Sequence, residues 1–359
     1  MLELVDHVAA LTEYKDRESL DIGLAQTFMV LFKPLKVAIY SVVSDGTDQR
    51  WVPLTMMRPG HPAETFSPLH ADFRLLQPLQ DIPYRWQCLN TRLSVEHEAA
   101  SGEPGTVVTC LPLSSEFSTE EGGVIEIHTQ AGLTPEDHDI ARRVLRVYRN
   151  MQNMFAYSER DALTGLLNRK SFEDTFYKSL REEALPSVDG SQPMVSGEAT
   201  AVPMRRVESG EVFWLAMVDV DHFKQVNDKY GHQIGDEVLI LVARILKSTF
   251  RGYDRIYRFG GEEFVILLRC PDHASAVQAL ERFRVAMENY PFPQAGHITA
   301  SVGLSEIRSS DTPEAACERA DLAVYHAKRT GRNQVCSHTD LERKGLLQDD
   351  VKVGGVELF

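Results

Sequence analysis

Residues 258–264 read Arg-Phe-Gly-Gly-Glu-Glu-Phe, between strand-like segments at 254–257 and 265–268. Two adjacent glycines allow a tight reversal of the chain and a close backbone approach by a ligand. We therefore predict a β-hairpin that carries Glu262 and Glu263 at its tip. Neighbouring carboxylates destabilise each other unless a cation or a substrate group neutralises them, so the hairpin is either a ligand site or a solvated acidic turn.

Another acidic segment precedes the hairpin. The apolar run at 213–218 lacks the alternation of a half-solvated strand, which predicts a buried central strand that ends in Asp219 and Asp221. Carboxylates at a strand end that face carboxylates on a turn are suited to hold Mg²⁺ between protein oxygens and substrate phosphates. In a protein without a metal, the same residues would cap the following turn.

Polar residues of other types follow this strand and recur near the end of the chain. Asn227 and Asp236 offer an amide and a carboxylate, and a carboxylate that accepts from N1–H and the 2-amino group selects guanine over adenine. Lys224, where the chain turns, is suited to hold phosphate oxygens. Lys328 and Arg332 are four residues apart, so we expect them on one face at a helix end, although a solvated basic face would give the same pattern.

Together these motifs resemble the GGDEF family of diguanylate cyclases, and the resemblance covers about half of the chain. The family's opening signature is matched at 161–169 and its metal and guanine segment at 219–236. Its name-giving loop is GGEEF at 260–264, and its closing signature is matched at 327–333. The resemblance implies a palm-like α/β (α+β) domain over 161–338, with a mostly antiparallel central sheet flanked by helices.

The resemblance also implies a reaction. Two GTP molecules would condense to cyclic di-GMP and release two pyrophosphates, and a homodimer would form because each active site holds one GTP. In family terms Asp219, the backbone carbonyl of Val220 and Glu262 hold Mg²⁺ or Mn²⁺, which spreads the charge of phosphoryl transfer. Glu262 matches the family's proposed general base, and Glu263 would support a second cation or the loop.

The remaining implied roles concern the nucleotide. The guanine side of the site would be formed by Asn227, His232, Asp236 and Phe223. The phosphate side would be formed by Lys224, Lys328 and Arg332. With Lys328, the implied catalytic set is Asp219, Glu262, Glu263 and Lys328.

A short motif just ahead of the hairpin suggests regulation by the product. Arg251 and Asp254 form an R-x-x-D pattern at the place where the family keeps its inhibitory product site. An Arg can engage a guanine edge or a phosphate with two hydrogen bonds, and an Asp can accept from guanine nitrogens. The alternative is a plain surface ion pair.

Composition limits the partners and the compartment. The net charge of −14 argues against a nucleic-acid polymer or an anionic membrane as partner. No apolar stretch reaches the ~18 residues of a membrane span, and the N-terminus lacks a basic signal region, so we expect a cytoplasmic protein without membrane insertion. The cysteines show no paired spacing and indicate reduced thiols; they are Cys88, Cys110, Cys270, Cys317 and Cys336.

The first 133 residues predict a sensor domain. The pattern indicates a helix at 19–32, four strands at 37–43, 51–57, 106–113 and 123–128, and an irregular segment at 58–83. This order resembles a GAF domain, and a PAS-type sensor is the nearest alternative. Its input would be a small molecule or a protein. Cys88, Cys110 and His128 lack the spacing of haem, bilin or metal ligands, so core or surface positions explain them better.

Residues 134–160 predict a connecting helix that starts at Thr134-Pro135. A heptad seam runs along it through Ile140, Val144, Val147, Met151, Met154 and Ser158. This seam indicates a parallel coiled coil that pairs two chains, through which the sensor would shift the population of dimers with facing GTP sites. The alternative is a helix that packs on its own domain.

Two segments depart from the family pattern. Residues 184–211 are longer than the usual connection and indicate an inserted surface loop. The tail at 339–359 has few apolar residues, so we expect partial disorder there. The alternative to an enzyme is a catalytically silent receptor for GTP or cyclic di-GMP that signals by changing the shape of a dimer.

Overall fold

The structure is a computed structural model, and it describes residues 8–45, 48–98, 105–113, 122–181 and 212–347. In these ranges the chain divides into two compact units between Glu159 and Arg160. None of the helices in the same ranges has the length and apolar composition that crossing a bilayer requires. The inserted segment predicted at 184–211 lies outside the described residues.

The N-terminal unit contains a seven-stranded antiparallel sheet. Its strands are β1 (Lys36–Ser44), β2 (Gln49–Met57), β3 (Glu64–Thr65), β4 (Gln77–Pro78), β5 (Val95–Glu98), β6 (Val107–Pro112) and β7 (Gly123–Thr129). The order is β3-β2-β1-β7-β6-β5, with β4 paired to β2. The helices are α1 (Arg17–Phe32), α2 (Pro83–Thr91) and α3 (Pro135–Glu159). The predicted helix and four strands are confirmed as α1, β1, β2, β6 and β7.

Both faces of this sheet are covered. In β1, Val37 and Ile39 pack with α1 and α3, whereas Ala38 and Tyr40 face the opposite way, toward α2. This alternation is what a strand between two apolar layers requires. The sequence pattern did not predict α2, which follows directly on the irregular segment and begins at Pro83.

Helix α3 begins where the sequence predicted. The N–H of Asp137 donates to Thr134 Oγ1 over 3.2 Å, and the N–H of Thr134 donates to Asp137 Oδ2 over 3.0 Å, so each residue caps the other. Val144 and Met151, two positions of the predicted seam, are buried in the core of the N-terminal unit, whereas Met154 is 63% exposed. For the first part of the helix, this burial favours packing on its own domain.

The C-terminal unit contains a six-stranded sheet in the order β15-β14-β9-β11-β10-β8. Its four central strands are antiparallel and its two edge strands are parallel to their neighbours. This confirms the predicted mixed α/β domain with a mostly antiparallel sheet. The strands are β8 (Leu167–Asn168), β9 (Val212–Val220), β10 (Arg255–Gly260), β11 (Glu263–Cys270), β14 (Ala300–Glu306) and β15 (Val335–Ser337), with a separate pair β12 (Pro291–Phe292) and β13 (Gly296–His297).

Helices cover both faces of this second sheet. They are α4 (Arg169–Arg181), α5 (Phe223–Tyr230), α6 (His232–Thr249), α7 (His273–Asn289), α8 (Pro313–Arg329) and α9 (His338–Arg343). Strand β9 is buried as predicted, and its side chains alternate between two cores. Trp214, Ala216 and Val218 pack on the side of α6 and α7. Phe213, Leu215 and Met217 pack on the side of α4 and α8.

Gly303 in β14 allows α8 to pack closely on the sheet. A Cβ at Gly303 in β14 would lie 2.0 Å from the carbonyl oxygen of Ala320 and 2.6 Å from the backbone nitrogen of Val324. No side chain fits there, so the backbone of α8 rests directly on β14. Past α8, helix α9 buries Leu341, which differs from the disorder expected for the tail; residues 348–359 lie outside the described ranges.

Candidate active site

The acidic turn is a hairpin between β10 and β11. Gly260 pairs with Glu263, which leaves Gly261 and Glu262 as the two residues of the tip. Gly261 has a φ of +40°, in the left-handed region that glycine adopts without steric cost. The predicted hairpin is therefore confirmed, with Glu262 at the tip and Glu263 at the start of β11.

Arg258 ties the hairpin to the start of the unit. Its Nε and Nη2 atoms donate to the carbonyl oxygen of Gly261 over 3.2 and 2.9 Å. Its Nη1 atom donates to Asp161 Oδ1 over 3.1 Å. Asp161 also accepts from the N–H and hydroxyl of Thr164, at 2.8 and 2.6 Å. Sequence reasoning gave neither Arg258 nor Asp161 a role of its own; both support the loop that carries the carboxylates.

The strand end and the hairpin meet through main-chain contacts. Asp219 lies opposite Glu263 in the β9–β11 ladder, and the N–H of Val220 donates to the carbonyl oxygen of Glu262 over 3.3 Å. Antiparallel neighbours in register carry their side chains on the same face of the sheet. The structure therefore brings together the carboxylates predicted to form the catalytic centre.

Lys328 enters this group from α8. Its Nζ atom lies 2.6 Å from Asp219 Oδ2, and the exposed fractions of the two side chains are 35% for Lys328 and 8% for Asp219. Because α8 is fixed against β14, the position of Lys328 is set by the fold as well as by this ion pair.

Four carboxylates share this single lysine as a neighbour, and we call them the acidic cluster: Asp219, Glu262, Glu263 and Asp321. Burial raises the pKa of all four. The charge of Asp219 further raises the pKa of Glu262 and of Glu263, whereas Lys328 lowers the pKa of each member. Burial is thus the main cause of the raised pKa values, and the charge of Lys328 is not sufficient to reverse it at any of the four acids.

Asp321 was missed by sequence reasoning. It lies on α8, seven residues before Lys328, and seven residues make about two helical turns. The spacing was therefore a usable signal, because it places both side chains on one face of the helix. The contact between α8 and β14 then brings that face toward Asp219.

Asp221 differs from the first expectation for the strand end. It is 4% exposed and accepts from Thr299 Oγ1 and Ser301 Oγ, both over 2.7 Å. It also accepts from the backbone N–H of Asn333 over 3.1 Å. With three donors, Asp221 joins β9 to β14 and to the closing signature, so its role is structural.

The predicted guanine residues lie on α5 and α6, on either side of the turn at Gly231. A Cβ at Gly235 would lie 1.9 Å from Asn227 Oδ1, so the glycine gives the Asn227 amide its place beside α6. His232 and Asp236, on the first turns of α6, are exposed. Phe223 is 4% exposed and belongs to the core, so its side chain supports the turn from below.

The phosphate side of the site is corrected at one position. Helix α8 ends at Arg329, and Gly331 follows with a φ of +125°. Arg332 lies beyond the helix with a φ of +62°, and its N–H donates to the carbonyl oxygen of Ala327 over 2.9 Å. The prediction that Lys328 and Arg332 share one helix face is therefore wrong. Arg332 and Lys224 are exposed.

The R-x-x-D motif forms a local turn. The backbone N–H of Arg251 donates to Asp254 Oδ2 over 2.9 Å, and Arg251 Nη1 donates to the hydroxyl of Tyr253 over 2.5 Å. Desolvation raises the pKa of Asp254 to about 6. The guanidinium of Arg251 is thus held by Tyr253, while Asp254 orders the backbone of the turn.

The donor set of the centre fits a hard cation. Asp219 and Glu262 are adjacent carboxylates with raised pKa values, and oxygen ligands of this kind suit Mg²⁺. Among the residues that the structure describes, no group of three or more His, Cys, Asp or Glu side chains could hold a metal ion.

The fold is a mixed α/β domain, and its candidate site is an acidic centre with one lysine. The family model described as "Diguanylate cyclase, GGDEF domain" matches residues 198–334. Diguanylate cyclase DgcP of Pseudomonas aeruginosa is 44% identical over 134 residues, which are 36% of this chain and 20% of DgcP. Response regulator PleD of Caulobacter vibrioides is 34% identical over 192 residues, 52% of this chain and 37% of PleD.

Among solved structures, the coiled coil and GGDEF domain of DgcB from Caulobacter crescentus, in complex with c-di-GMP, is 28% identical. The TM-score is 0.45, and the match covers 56% of this chain and 96% of that one. The chain spans well under two thirds of DgcP and PleD. The family match and the curated relatives support assignment of residues 198–334 to the GGDEF family of diguanylate cyclases.

Proposed function

We propose that the protein is a diguanylate cyclase that condenses two GTP molecules to cyclic di-GMP and two pyrophosphates. The observation that carries the proposal is the acidic cluster around Lys328, at the end of β9. Clustered acids with raised pKa values are costly to keep, and a cation with nucleotide phosphates would relieve that cost. The similarity to DgcP and to PleD supports the same activity.

The residues of the centre would have different roles, in cation binding and in phosphate binding. Asp219, the carbonyl of Val220 and Glu262 would hold Mg²⁺ or Mn²⁺, and a bound divalent cation would supply stabilisation of charge on the reacting phosphate. Lys328, with exposed Lys224 and Arg332, would bind the β- and γ-phosphates. Glu263 would support the loop or a second cation.

Guanine would be selected at the turn between α5 and α6. The Asn227 amide is held against Gly235, and Asp236 is the next residue along α6. A carboxylate that accepts from N1–H and the 2-amino group favours guanine over adenine. His232 is exposed at the start of the same helix and would lie beside the base.

The bond-forming step requires a base for the 3′-hydroxyl. The oxygen of that hydroxyl attacks the α-phosphorus of the second GTP, pyrophosphate leaves on the opposite side, and the hydroxyl proton passes to a base. Glu262 is at the tip of the hairpin and half-buried, and burial and Asp219 raise its pKa. Glu262 would take that proton on an oxygen that does not bind the cation, because a metal-bound carboxylate is a weak base.

Because each site would bind one GTP, two chains must face each other. The exposed Met154 and Tyr157 near the end of α3 are available for pairing with a second chain, and a GAF-like N-terminal domain would bias the dimers in which the sites meet. Product inhibition would use Arg251 and Asp254. This proposal predicts that turnover by Arg251→Ala slows less than turnover by the parent as cyclic di-GMP accumulates. Arg244→Ala, which removes an exposed arginine on α6, should slow as the parent does.

The test is GTP turnover by the purified protein with Mg²⁺, with nucleotides separated by chromatography. We expect cyclic di-GMP from the parent and none from Glu262→Ala. A parent that binds GTP but forms no cyclic di-GMP at any protein concentration would contradict the cyclase. It would favour the catalytically silent receptor instead.

A further inference from the structure

The Lys328 ammonium contacts a carboxylate oxygen of Asp219 through which a cation would bind. The ammonium lies 2.6 Å from Asp219 Oδ2, and Asp219 is almost fully buried. A cation that binds Asp219 through the same oxygen would meet the lysine charge at close range. At such a distance the repulsion between like charges is large in a partly desolvated site.

Lys328 also acts as the shared counter-charge of the acidic cluster. It lowers the pKa of Asp219, Glu262, Glu263 and Asp321, all of which burial raises. Four carboxylates are near this lysine, and its ammonium forms an ion pair with one of them, Asp219. The lysine therefore compensates the cluster only in part, and a divalent cation would compensate it further.

The Lys328 side chain can change its partner. It is 35% exposed, and its flexible four-carbon chain lets the ammonium move without a movement of the helix. A nucleotide phosphate next to the cluster would offer Lys328 a new anion. Asp219 Oδ2 would then be released to the cation at the same moment.

We propose that Lys328 couples cation binding to nucleotide binding, because it blocks Asp219 until a phosphate takes it away. This inference rests on the proposed function for the nature of the nucleotide. Its physical content is a linkage: if nucleotide strengthens cation binding by releasing Asp219, the cation strengthens nucleotide binding by the same factor. The acidic cluster would then stay free of divalent cations until substrate arrives.

The test measures Mn²⁺ affinity of the full chain by electron paramagnetic resonance, without nucleotide and with a non-hydrolysable GTP analogue. In the parent we expect weak binding of Mn²⁺ alone and about tenfold or greater strengthening by the analogue. In Lys328→Met we expect Mn²⁺ alone to bind about tenfold more tightly than in the parent, and the strengthening by the analogue to shrink. Asp219→Asn should abolish this binding, which identifies the site.

Arg332→Met is the matched control. It removes one positive charge from the same end of α8, but Arg332 does not pair with Asp219. We expect Arg332→Met to weaken binding of the GTP analogue and to leave the affinity for Mn²⁺ alone unchanged. Lys328→Gln provides a second removal of the charge with a different side chain, and circular dichroism verifies that both variants fold.

The inference is overturned if Lys328→Met and Lys328→Gln bind Mn²⁺ alone no more tightly than the parent. It is also overturned if Arg332→Met tightens Mn²⁺ binding equally, because the effect would then be general electrostatics. The result is separable from the cyclase assay. If the parent shows the coupling but forms no cyclic di-GMP, the role of Lys328 is supported and the cyclase is rejected. If the parent forms cyclic di-GMP but Lys328 has no effect on Mn²⁺ affinity, the cyclase is supported and the role of Lys328 is rejected.

Discussion

Arg85 with Glu126 in the N-terminal unit, and Lys328 with Asp219 in the C-terminal unit, are both cation–carboxylate pairs at hydrogen-bond distance, 2.5 and 2.6 Å. Their surroundings differ. Arg85 and Glu126 are 5% and 1% exposed, and the guanidinium carbon of Arg85 lies 3.4 Å from the centre of the Tyr40 ring. Lys328 is 35% exposed and faces several acids.

The pKa values separate the two cases. Burial alone would raise the pKa of Glu126, but Arg85 and His128 lower it well below its usual range. Burial raises the pKa of Asp219, and Lys328 does not offset it. A buried acid with a lowered pKa has all the partners it needs and serves the fold, whereas several neighbouring acids with raised pKa values mark a site that requires another ligand.

The largest effect, a loss of turnover, is expected when Asp219 of the Lys328–Asp219 pair is changed. Asp219→Asn should reduce formation of cyclic di-GMP roughly a thousandfold, because it removes several kcal/mol of metal-assisted stabilisation. The same change should alter the free energy of unfolding by no more than ~1 kcal/mol, because Lys328 is 35% exposed and its ammonium can return to water. Initial rates and urea titration measure the two quantities. A folded variant with normal turnover would remove Asp219 from the centre.

The opposite outcome is expected for the buried pair of Arg85 and Glu126. Glu126→Gln leaves the buried Arg85 charge without a carboxylate and should destabilise the N-terminal unit by about 3–5 kcal/mol. Urea titration followed by Trp fluorescence measures the change. The matched control is the double variant Arg85→Met with Glu126→Leu, which removes both charges and should recover most of the stability. Equal stabilities of the parent and Glu126→Gln would show that the pair does not hold the fold.

Asp21 sharpens the comparison, because it is a buried acid with a raised pKa outside any acidic cluster. Desolvation raises its pKa to about 7, and the hydroxyl of Tyr148 donates to its Oδ1 over 2.5 Å. In the unfolded chain the pKa is ~3.9, so the folded chain holds more protons between these values. Stability should therefore fall as the pH rises from about 4 to about 7.

Asp21→Asn should remove this dependence. We expect the variant to match the parent near pH 4 and to be more stable near pH 8, by on the order of 2–4 kcal/mol. Urea titrations at the two pH values measure the difference, and Glu13→Gln, which changes an exposed acid ahead of α1, controls for changes in net charge. A parent-minus-variant difference that does not change with pH would contradict the assignment.

The smallest effect is expected at the support of the hairpin. Arg258→Ala removes the hydrogen bonds to Gly261 and Asp161, which should loosen the loop that carries Glu262. We expect turnover to fall about tenfold, since misplaced catalytic groups lose rate without being removed. Initial rates at saturating GTP measure this. Arg244→Ala, an exposed arginine on α6, is the control, and equal rates for both variants would argue against a positioning role.

The sequence predicted the parts of the site that lie in continuous motifs. The hairpin, the buried β9 and the carboxylates of Asp219 and Glu262 all follow from local patterns of apolar residues, glycines and acids. The structural role of Asp221 could not be predicted, because its three donors come from distant segments. The place of Asp321 in the acidic cluster could not be predicted either, because it depends on the contact of α8 with β14, which Gly303 allows.

Two other differences have local causes. Arg332 was expected on the helix, but Gly331 allows the chain to leave α8 with a positive φ, a common end for helices. Glycine at that position was a signal that the spacing argument overlooked. Arg85 was not predicted as a buried residue because the segment before it has no periodicity, and its partner Glu126 lies on β7, far along the chain.

The most direct test of the account is a crystal structure with Mn²⁺ and a non-hydrolysable GTP analogue, in which anomalous scattering locates the metal. We predict a Mn²⁺ peak within bonding distance of the Asp219 and Glu262 carboxylates, with Lys328 moved from Asp219 to a phosphate. A structure with the analogue bound, but with Lys328 still paired to Asp219 and no Mn²⁺ at these carboxylates, would contradict the account.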